Sequence, residues 1–418
     1  MKQNLSVLLL MLGVITANAQ DIVAPEPIDT IEAKITPQAI EARIAQMRMG
    51  DFVVTTKPGT EVKIEQLRHE FLFGTAVANQ VVATDEKAMS PQDRQRYIQT
   101  LSENFNYAVH ENALKWYDCE KEPNRVDYAT ADKIWDICHE LNIPMRGHCI
   151  FWEKDEFVQP WLKNLNNEDL RMAVKRRAID MMTHFKGRIT EYDLNNEMIH
   201  GDFFRRRLGY GIVNEMAYMS LSANPDAKFF VNDYGILVDG GFNASAYISQ
   251  IDNLIKSGVP ISGIGCQAHP ATRIKNPMSP FIVQRGLDRL AKFNLPIKIT
   301  EAFFGSEGEE SMAQEMQTIL PIYFAHPNVE AIVFWGFWEG THWNPRSALW
   351  RNNWTPTPQG VAYRDLVFNK WWTRAQGKAN GKGVYRTRAF YGDYLVTVNG
   401  KSQKVTLSKK DKEVVVAF

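Results

Sequence analysis

Short apolar runs that end in polar residues recur along the chain, and each is followed by a stretch of helical period. The runs are FLFGTAVAN (71–79), NYAVHENALKW (106–116), IPMRGHCIFW (143–152), EYDLNNE (191–197), KFFVNDYG (228–235), ISGIGCQAH (261–269), LPIKITEAFF (295–304) and EAIVFWGFW (330–338). Near-continuous apolar character over a few residues fits strands buried on both faces, as in a parallel sheet covered by helices. Between the runs, YATADKIWDICHEL (128–141), LRMAVKRRAIDMMTHF (170–185) and ASAYISQIDNLIKSG (244–258) predict helices. Pro225, Pro260 and Pro296 fall just before strands, where a proline cannot extend the preceding helix. Eight strand–helix units over roughly residues 71–370 predict an α/β fold of the (β/α)8 TIM barrel type. A doubly wound open sheet is the alternative, but the glycine-rich phosphate fingerprint that would support it is absent.

The flanks read differently. Residues 1–19 have a basic start, an apolar stretch from Val7 to Ile15 and a small-residue Ala17-Asn18-Ala19 site, the pattern of a signal peptide too short to span a bilayer. A secreted or periplasmic protein is expected, without a lipoprotein anchor because no cysteine stands at the cleavage site. Residues 20–36 are Pro- and acid-containing and read as an extended leader, and 37–70 as a helix followed by two alternating runs around Lys57-Pro58-Gly59-Thr60, a hairpin signal. The barrel is expected over 71–372. Residues 373–418 are glycine-rich and β-branched with a turn at Asn399-Gly400, and predict a small antiparallel β segment whose strands pair with those at 52–66. That segment is too short to bury a substantial core alone, which favours a stabilising flap over the barrel bottom against a sugar-binding module.

Composition narrows the partners. Lys+Arg and Asp+Glu are equal at 48 each in 418 residues, which argues against nucleic acid or an anionic membrane surface as the main partner. With 11 Trp, 14 Tyr and 22 Phe the chain is rich in side chains that stack on flat apolar faces such as sugar rings. The four cysteines, Cys119, Cys138, Cys149 and Cys266, form neither a CxxC pair nor a zinc-finger spacing. Cys149 and Cys266 read as buried free thiols, and a Cys119–Cys138 bridge is left open. No HxH or HExxH occurs, so no metal and no other cofactor is expected.

In a barrel all strand C-termini open on one face, so residues far apart in sequence converge there. The second strand brings His110, Glu111, Asn112 and Lys115, the third Arg146, His148 and Trp152, and the fourth Asn195, Asn196 and Glu197. The fifth gives Asn232, Asp233 and Tyr234, the sixth Gln267 and His269, the seventh Glu301, and the eighth Trp335 and Trp338, with Trp343 following. Two carboxylates across a cleft, Glu197 and Glu301, are what cleavage of a glycosidic bond needs: one protonates the leaving oxygen, the other stays ionised to attack the anomeric carbon. Asn196 could hold a sugar 2-hydroxyl while Gln267 and His269 donate hydrogen bonds that keep Glu301 charged.

These motifs, in this order, resemble glycoside hydrolase family 10, the retaining endo-1,4-beta-xylanases, over roughly residues 40–370. RGHCIFWE and LNNEMIHGDFFRRRLG are most similar to the branch that includes plant-type members. The resemblance implies that Glu197 is the acid/base and Glu301 the nucleophile, and that the mechanism retains configuration through a covalent glycosyl-enzyme. It implies that Glu111, Asn112 and Lys115 hold the sugar on the glycone side, and that His148, Trp152 and Asn196 line the point of cleavage. Gln267 and His269 would orient Glu301, and Trp335 and Trp343 would pack on sugars of a xylan or xylo-oligosaccharide substrate. A catalytically weak xylan-binding protein and a beta-glucan-cleaving barrel glycosidase are the alternatives. There are departures: the family usually carries an aspartate two residues after the nucleophile, where it holds the histidine, and this chain has Phe303. Glu153 and Asp155 likewise stand where many bacterial members have His and Gln.

Overall fold

A computed structural model describes residues 28–238, 241–270 and 277–418. The expected signal peptide lies outside the described residues. Eight parallel strands form the central sheet: Leu72–Val77, Tyr107–His110, a third strand in two pieces (Met145–Arg146 and Phe151–Trp152), Glu191–Asn196, Lys228–Asp233, Ile261–Cys266, Ile297–Ala302 and Val329–Phe334. They pair in sequence order, and the eighth returns to the first through Ala331↔Leu72 to Phe334↔Thr75. The two pieces of the third strand pair with the second and the fourth strand respectively, and a Gly147↔Tyr192 bridge closes the ring between them. Glycine is required at that closure, since a Cβ on Gly147 would sit 2.3 Å from the Tyr192 ring. Every residue of Ile297–Ala302 and of Tyr107–His110 is buried, which is why their sequence lacks alternation.

Helices Ala129–Glu140, Asn167–His184 and Phe242–Lys256 stand where the helical periods predict them. The second begins at Asn166, whose side chain accepts from the Asp169 amide at 2.9 Å. Its Arg177 is fully buried and donates to the carbonyls of Leu114 (2.6 Å) and Ile150 (3.1 Å), tying down the segments that follow the second strand and interrupt the third. Arg177 also reaches Cys119 Sγ at 3.0 Å; all four cysteines are free and buried, so the Cys119–Cys138 bridge left open by sequence is not formed.

Two flanking expectations are corrected. The leader is not wholly extended, because Ile28–Lys34 is a helix, with Ile31 buried and Lys34 ion-paired to Asp288 at 3.2 Å. The two runs around Lys57-Pro58-Gly59 are strands, Met49–Thr55 and Glu61–His69, but they do not pair with each other. Alternation marks a half-buried strand without naming its partner, and here both partners come from the chain's last fifty residues. Met49–Thr55 lies between Val384–Phe390, antiparallel, and Glu413–Ala417, parallel; Glu61–His69 lies between Arg374–Lys378 and Gly392–Val398, with Lys401–Leu407 at the edge. The Asn399-Gly400 turn, with φ of 49° and 77°, joins the last two as the sequence predicts. Phe52, Val54, Val62, Ile64, Tyr394, Val396 and Leu407 form a core between the two sheets.

This β appendage packs on the N-terminal end of the barrel. Arg48, buried, donates to the carbonyls of Phe324 (2.6 Å), His326 (2.8 Å) and Val329 (2.7 Å) at the entry to the eighth strand. A cavity of about 370 Å³ at this junction, lined by Arg68, His69, Asn106, Phe368 and Trp372 among others, lies at the opposite end from the strand C-termini.

Candidate active site at the strand C-terminal ends

The fourth strand stops at Asn196, and Glu197 turns the chain with φ of 56°, a left-handed conformation that a side chain other than glycine adopts rarely. Its amide donates to the Asn232 carbonyl at 2.9 Å, which fixes the turn against the fifth strand. The carboxylate, buried, is held by two donors, Gln267 Nε2 at 3.0 Å on Oε1 and Trp152 Nε1 at 3.2 Å on Oε2, and is ion-paired with the Lys154 ammonium at 3.7 Å. Glu301, near the end of the seventh strand, accepts from Asn232 Nδ2 at 2.9 Å and from His269 Nε2 at 3.0 Å.

Asn232 is the hub that sequence reading placed at a strand end without giving it a role. Its Nδ2 also donates to Asn196 Oδ1 at 2.9 Å, and its Oδ1 accepts from Thr300 Oγ1 at 2.6 Å. A Cβ on Gly265 would meet Asn232 Oδ1 at 2.5 Å, so the absence of a side chain there leaves room for this amide. The register Asn196↔Asn232 between neighbouring strands is the signal that could have found it. The bond expected from Gln267 to Glu301 is a correction: Gln267 reaches Glu197, and Asn232 occupies the place beside Glu301. His269 does contact Glu301. Asn196 spends its oxygen inside the protein and leaves Nδ2 buried without a partner, a donor free for a ligand.

The remaining predicted residues fall into separate groups. Lys115 Nζ donates to Asn112 Oδ1 at 3.0 Å and stands 5.0 Å from the Trp152 ring centre and 5.4 Å from that of Trp335. His148 Nδ1 bonds Asp193 Oδ2 at 2.8 Å, and Asp193 is ion-paired on its other oxygen to buried Arg146; the imidazole edge packs on Trp335 at 5.0 Å. Asp193, inside the fourth strand, is a positioning group that sequence alone did not single out. Glu111 is buried beside Lys115 and Asn112. Trp335 is 7% exposed and Trp343 54% exposed, the latter set edge-on to Phe303 at 5.3 Å. Trp338 stacks on Trp354 at 4.6 Å within the core. Glu153 is fully buried and bound to Arg205 Nε (2.7 Å) and Asn195 Nδ2 (2.9 Å), while Asp155 pairs with Arg206 at the surface. On the other side Tyr234 stacks on His200 at 3.6 Å, and His200 bonds buried Asp233 at 2.6 Å.

The two central carboxylates are driven apart electrostatically. Burial pushes Glu197 up, and the negative charge of Glu301 pushes it further, against the Gln267 bond and Lys154. Burial also acts to raise Glu301, but the hydrogen bond from His269 and the attraction of Lys115 outweigh it and hold Glu301 at about 2. Glu111 is pushed up to about 7 by burial, against Lys115 and Asn112. Among the described residues no group of three or more His, Cys, Asp or Glu side chains is placed to hold a metal ion.

A parallel (β/α)8 barrel whose mouth holds one carboxyl raised and one lowered belongs to the class of barrel proteins with paired acidic groups in a cleft. Residues 64–366 match the family model described as glycosyl hydrolase family 10, and the chain belongs to that family. It is 35% identical over 366 residues to endo-1,4-beta-xylanase 1 of Arabidopsis thaliana, covering 86% of this chain and 37% of that protein. It is also 35% identical over 362 residues to anti-sigma-I factor RsgI6 of Acetivibrio thermocellus, covering 86% of this chain and 45% of that protein. The chain thus spans less than half the length of these relatives. Among solved structures, xylanase 10B of Thermotoga maritima superposes with a TM-score of 0.63 at 25% identity, over 72% of this chain and 96% of that one. Xylanase 10B of Thermotoga petrophila in complex with xylobiose gives the same score and identity, over 72% and 95%.

Proposed function

We propose that the chain is an exported, endo-acting glycoside hydrolase that cleaves β-1,4-xylosidic bonds in xylan with retention of configuration. The observation that carries this is the opposite displacement of the two carboxyls: Glu301 is held ionised and Glu197 is raised toward the protonated state. In the first step a Glu301 oxygen attacks the anomeric carbon, the glycosidic C–O bond breaks, and Glu197 gives its proton to the departing oxygen. In the second, Glu197 takes a proton from water, the water oxygen attacks the same carbon, and Glu301 leaves as carboxylate. The free Nδ2 of Asn196 and the Lys115–Asn112 pair supply donors to sugar hydroxyls, and Trp335 and Trp343 supply apolar walls. The xylanase names of the family relatives, and the xylobiose bound to one structural neighbour, support xylan as substrate. The basic, then apolar, then small-residue order of positions 1–19 supports export.

The test follows reducing ends released from xylan, with glucan and mannan in parallel and the anomer of the first product read by NMR. Release from xylan with a β-anomer first is expected. Release from glucan alone replaces the substrate, an α-anomer overturns retention, and binding without release leaves a sugar-binding protein on the same barrel.

A further inference from the structure

Nε2 of His269 lies 3.0 Å from Oε2 of Glu301. An ionised carboxylate only accepts, so Nε2 carries a proton. The other ring nitrogen, Nδ1, is buried and has no hydrogen-bond partner among the described residues. What lies against the imidazole is the ring of Phe303, 4.8 Å away and 4% exposed. The same ring stands edge-on to Trp343 at 5.3 Å and 82°, and Trp343 is 6.2 Å from His269, so the three rings form a triangle. One corner of it touches Glu301 and another is the most open tryptophan of the mouth.

We propose that Phe303 is a positioning residue for the reaction, holding His269 against Glu301 and Trp343 at the rim by ring packing alone. Two consequences follow from the chemistry of the triangle. With no acceptor facing Nδ1 among the described residues, a proton there would be a buried donor with nothing to receive it, which favours the Nε2–H tautomer of the imidazole. With Phe303 and His269 as its ring neighbours among the described residues, Trp343 depends on that buried ring for its orientation over the opening. Phe303 thereby joins the geometry of the attacking carboxylate to that of a sugar-facing wall, two functions that a polar residue at this position would separate.

This inference rests on the xylan-cleaving reading for its kinetic part, so the experiment has one arm that needs no substrate. Full-length protein labelled with nitrogen-15 in histidine, with His269→Gln to assign the signal, is expected to show His269 protonated on Nε2 and bare on Nδ1 at neutral pH. In Phe303→Asp, which supplies an acceptor, both nitrogens should carry protons. In the kinetic arm, on the soluble oligosaccharide that the unaltered protein cleaves best, Phe303→Leu keeps the apolar volume but removes the ring. KM should rise about two- to tenfold, the value of an aromatic pair, with kcat within about twofold. A wild-type imidazole protonated on both nitrogens, or an unchanged KM in Phe303→Leu, overturns the proposal. A protein that cleaves no xylan yet shows the expected nitrogen signals retires the substrate reading and upholds the placement of Phe303.

Discussion

The two ends of the barrel treat polar groups in opposite ways. At the N-terminal end they are consumed by the fold: Arg48 satisfies three carbonyls, and Asn106 bonds the Phe73 amide and the carbonyls of His69 and Phe71. His69 Nε2, buried among aromatic rings, Arg43 Nε and Asn224 Nδ2 are exceptions there, without partners among the described residues, and Asn142 and Asn294 take left-handed backbone, which asparagine adopts more readily than most side chains. At the C-terminal end the exceptions gather around the two carboxylates: Asn195 Oδ1, Asn196 Nδ2, Gln267 Oε1 and His269 Nδ1 lack partners among the described residues, and Glu197 and Ala268, neither of them asparagine, take left-handed backbone. Unmet hydrogen-bonding capacity and strained residues cost stability, and a fold tolerates them in one place only when something else uses them. The base is therefore built for cohesion and the mouth for binding and chemistry.

Substitutions can break that contrast, and the largest effect belongs to the mouth. Glu301→Ala should leave no hydrolysis above background in a reducing-end assay, while circular dichroism remains that of the folded protein; substantial turnover would move the nucleophile elsewhere. Glu197→Ala should lower kcat on xylan by roughly 10²–10⁴-fold, the usual worth of a positioned acid/base. On an aryl glycoside with a good leaving group, azide should restore turnover and yield a β-glycosyl azide, whereas an α-azide contradicts two displacements. Arg48→Ala tests the base: three buried carbonyls lose their donor, and unfolding in urea should show a loss of about 3 kcal/mol with kcat per folded molecule unchanged. A change in kcat instead would mean that the two ends are not independent.

The smallest effect concerns Lys154, whose ammonium lowers Glu197 against burial. In Lys154→Met the carboxyl should rise further, so the alkaline limb of the kcat/KM profile, where Glu197 loses its proton, moves to higher pH. The acid limb, set by Glu301 near 2, should stay. A shift of the alkaline limb downward would show that Lys154 does not act on the acid.

The strands were legible because burial on both faces leaves continuous apolar runs, and the mouth because each run ends in polar residues. Partners were less so. Gln267 could be placed at the mouth, but which carboxylate it serves depends on side-chain direction across three strands, and Asn232 gained its role only from its register opposite Asn196. The runs at 49–69 carried a hairpin pattern, yet alternation is equally satisfied by partners more than three hundred residues away. The helix Ile28–Lys34 was hidden because its Pro- and acid-containing surroundings read as extended, while its stability draws on tertiary contacts such as Lys34–Asp288.

The placement of Met49–Thr55 between Val384–Phe390 and Glu413–Ala417 also orders events during synthesis. That strand emerges more than three hundred residues before either partner, so both its edges stay unpaired while the ring between them is made. The eight strands of the ring can associate in the order in which they emerge, each beside its predecessor. The clasp at the base is then fastened after the ring has formed, the longest loop closure in the molecule coming last.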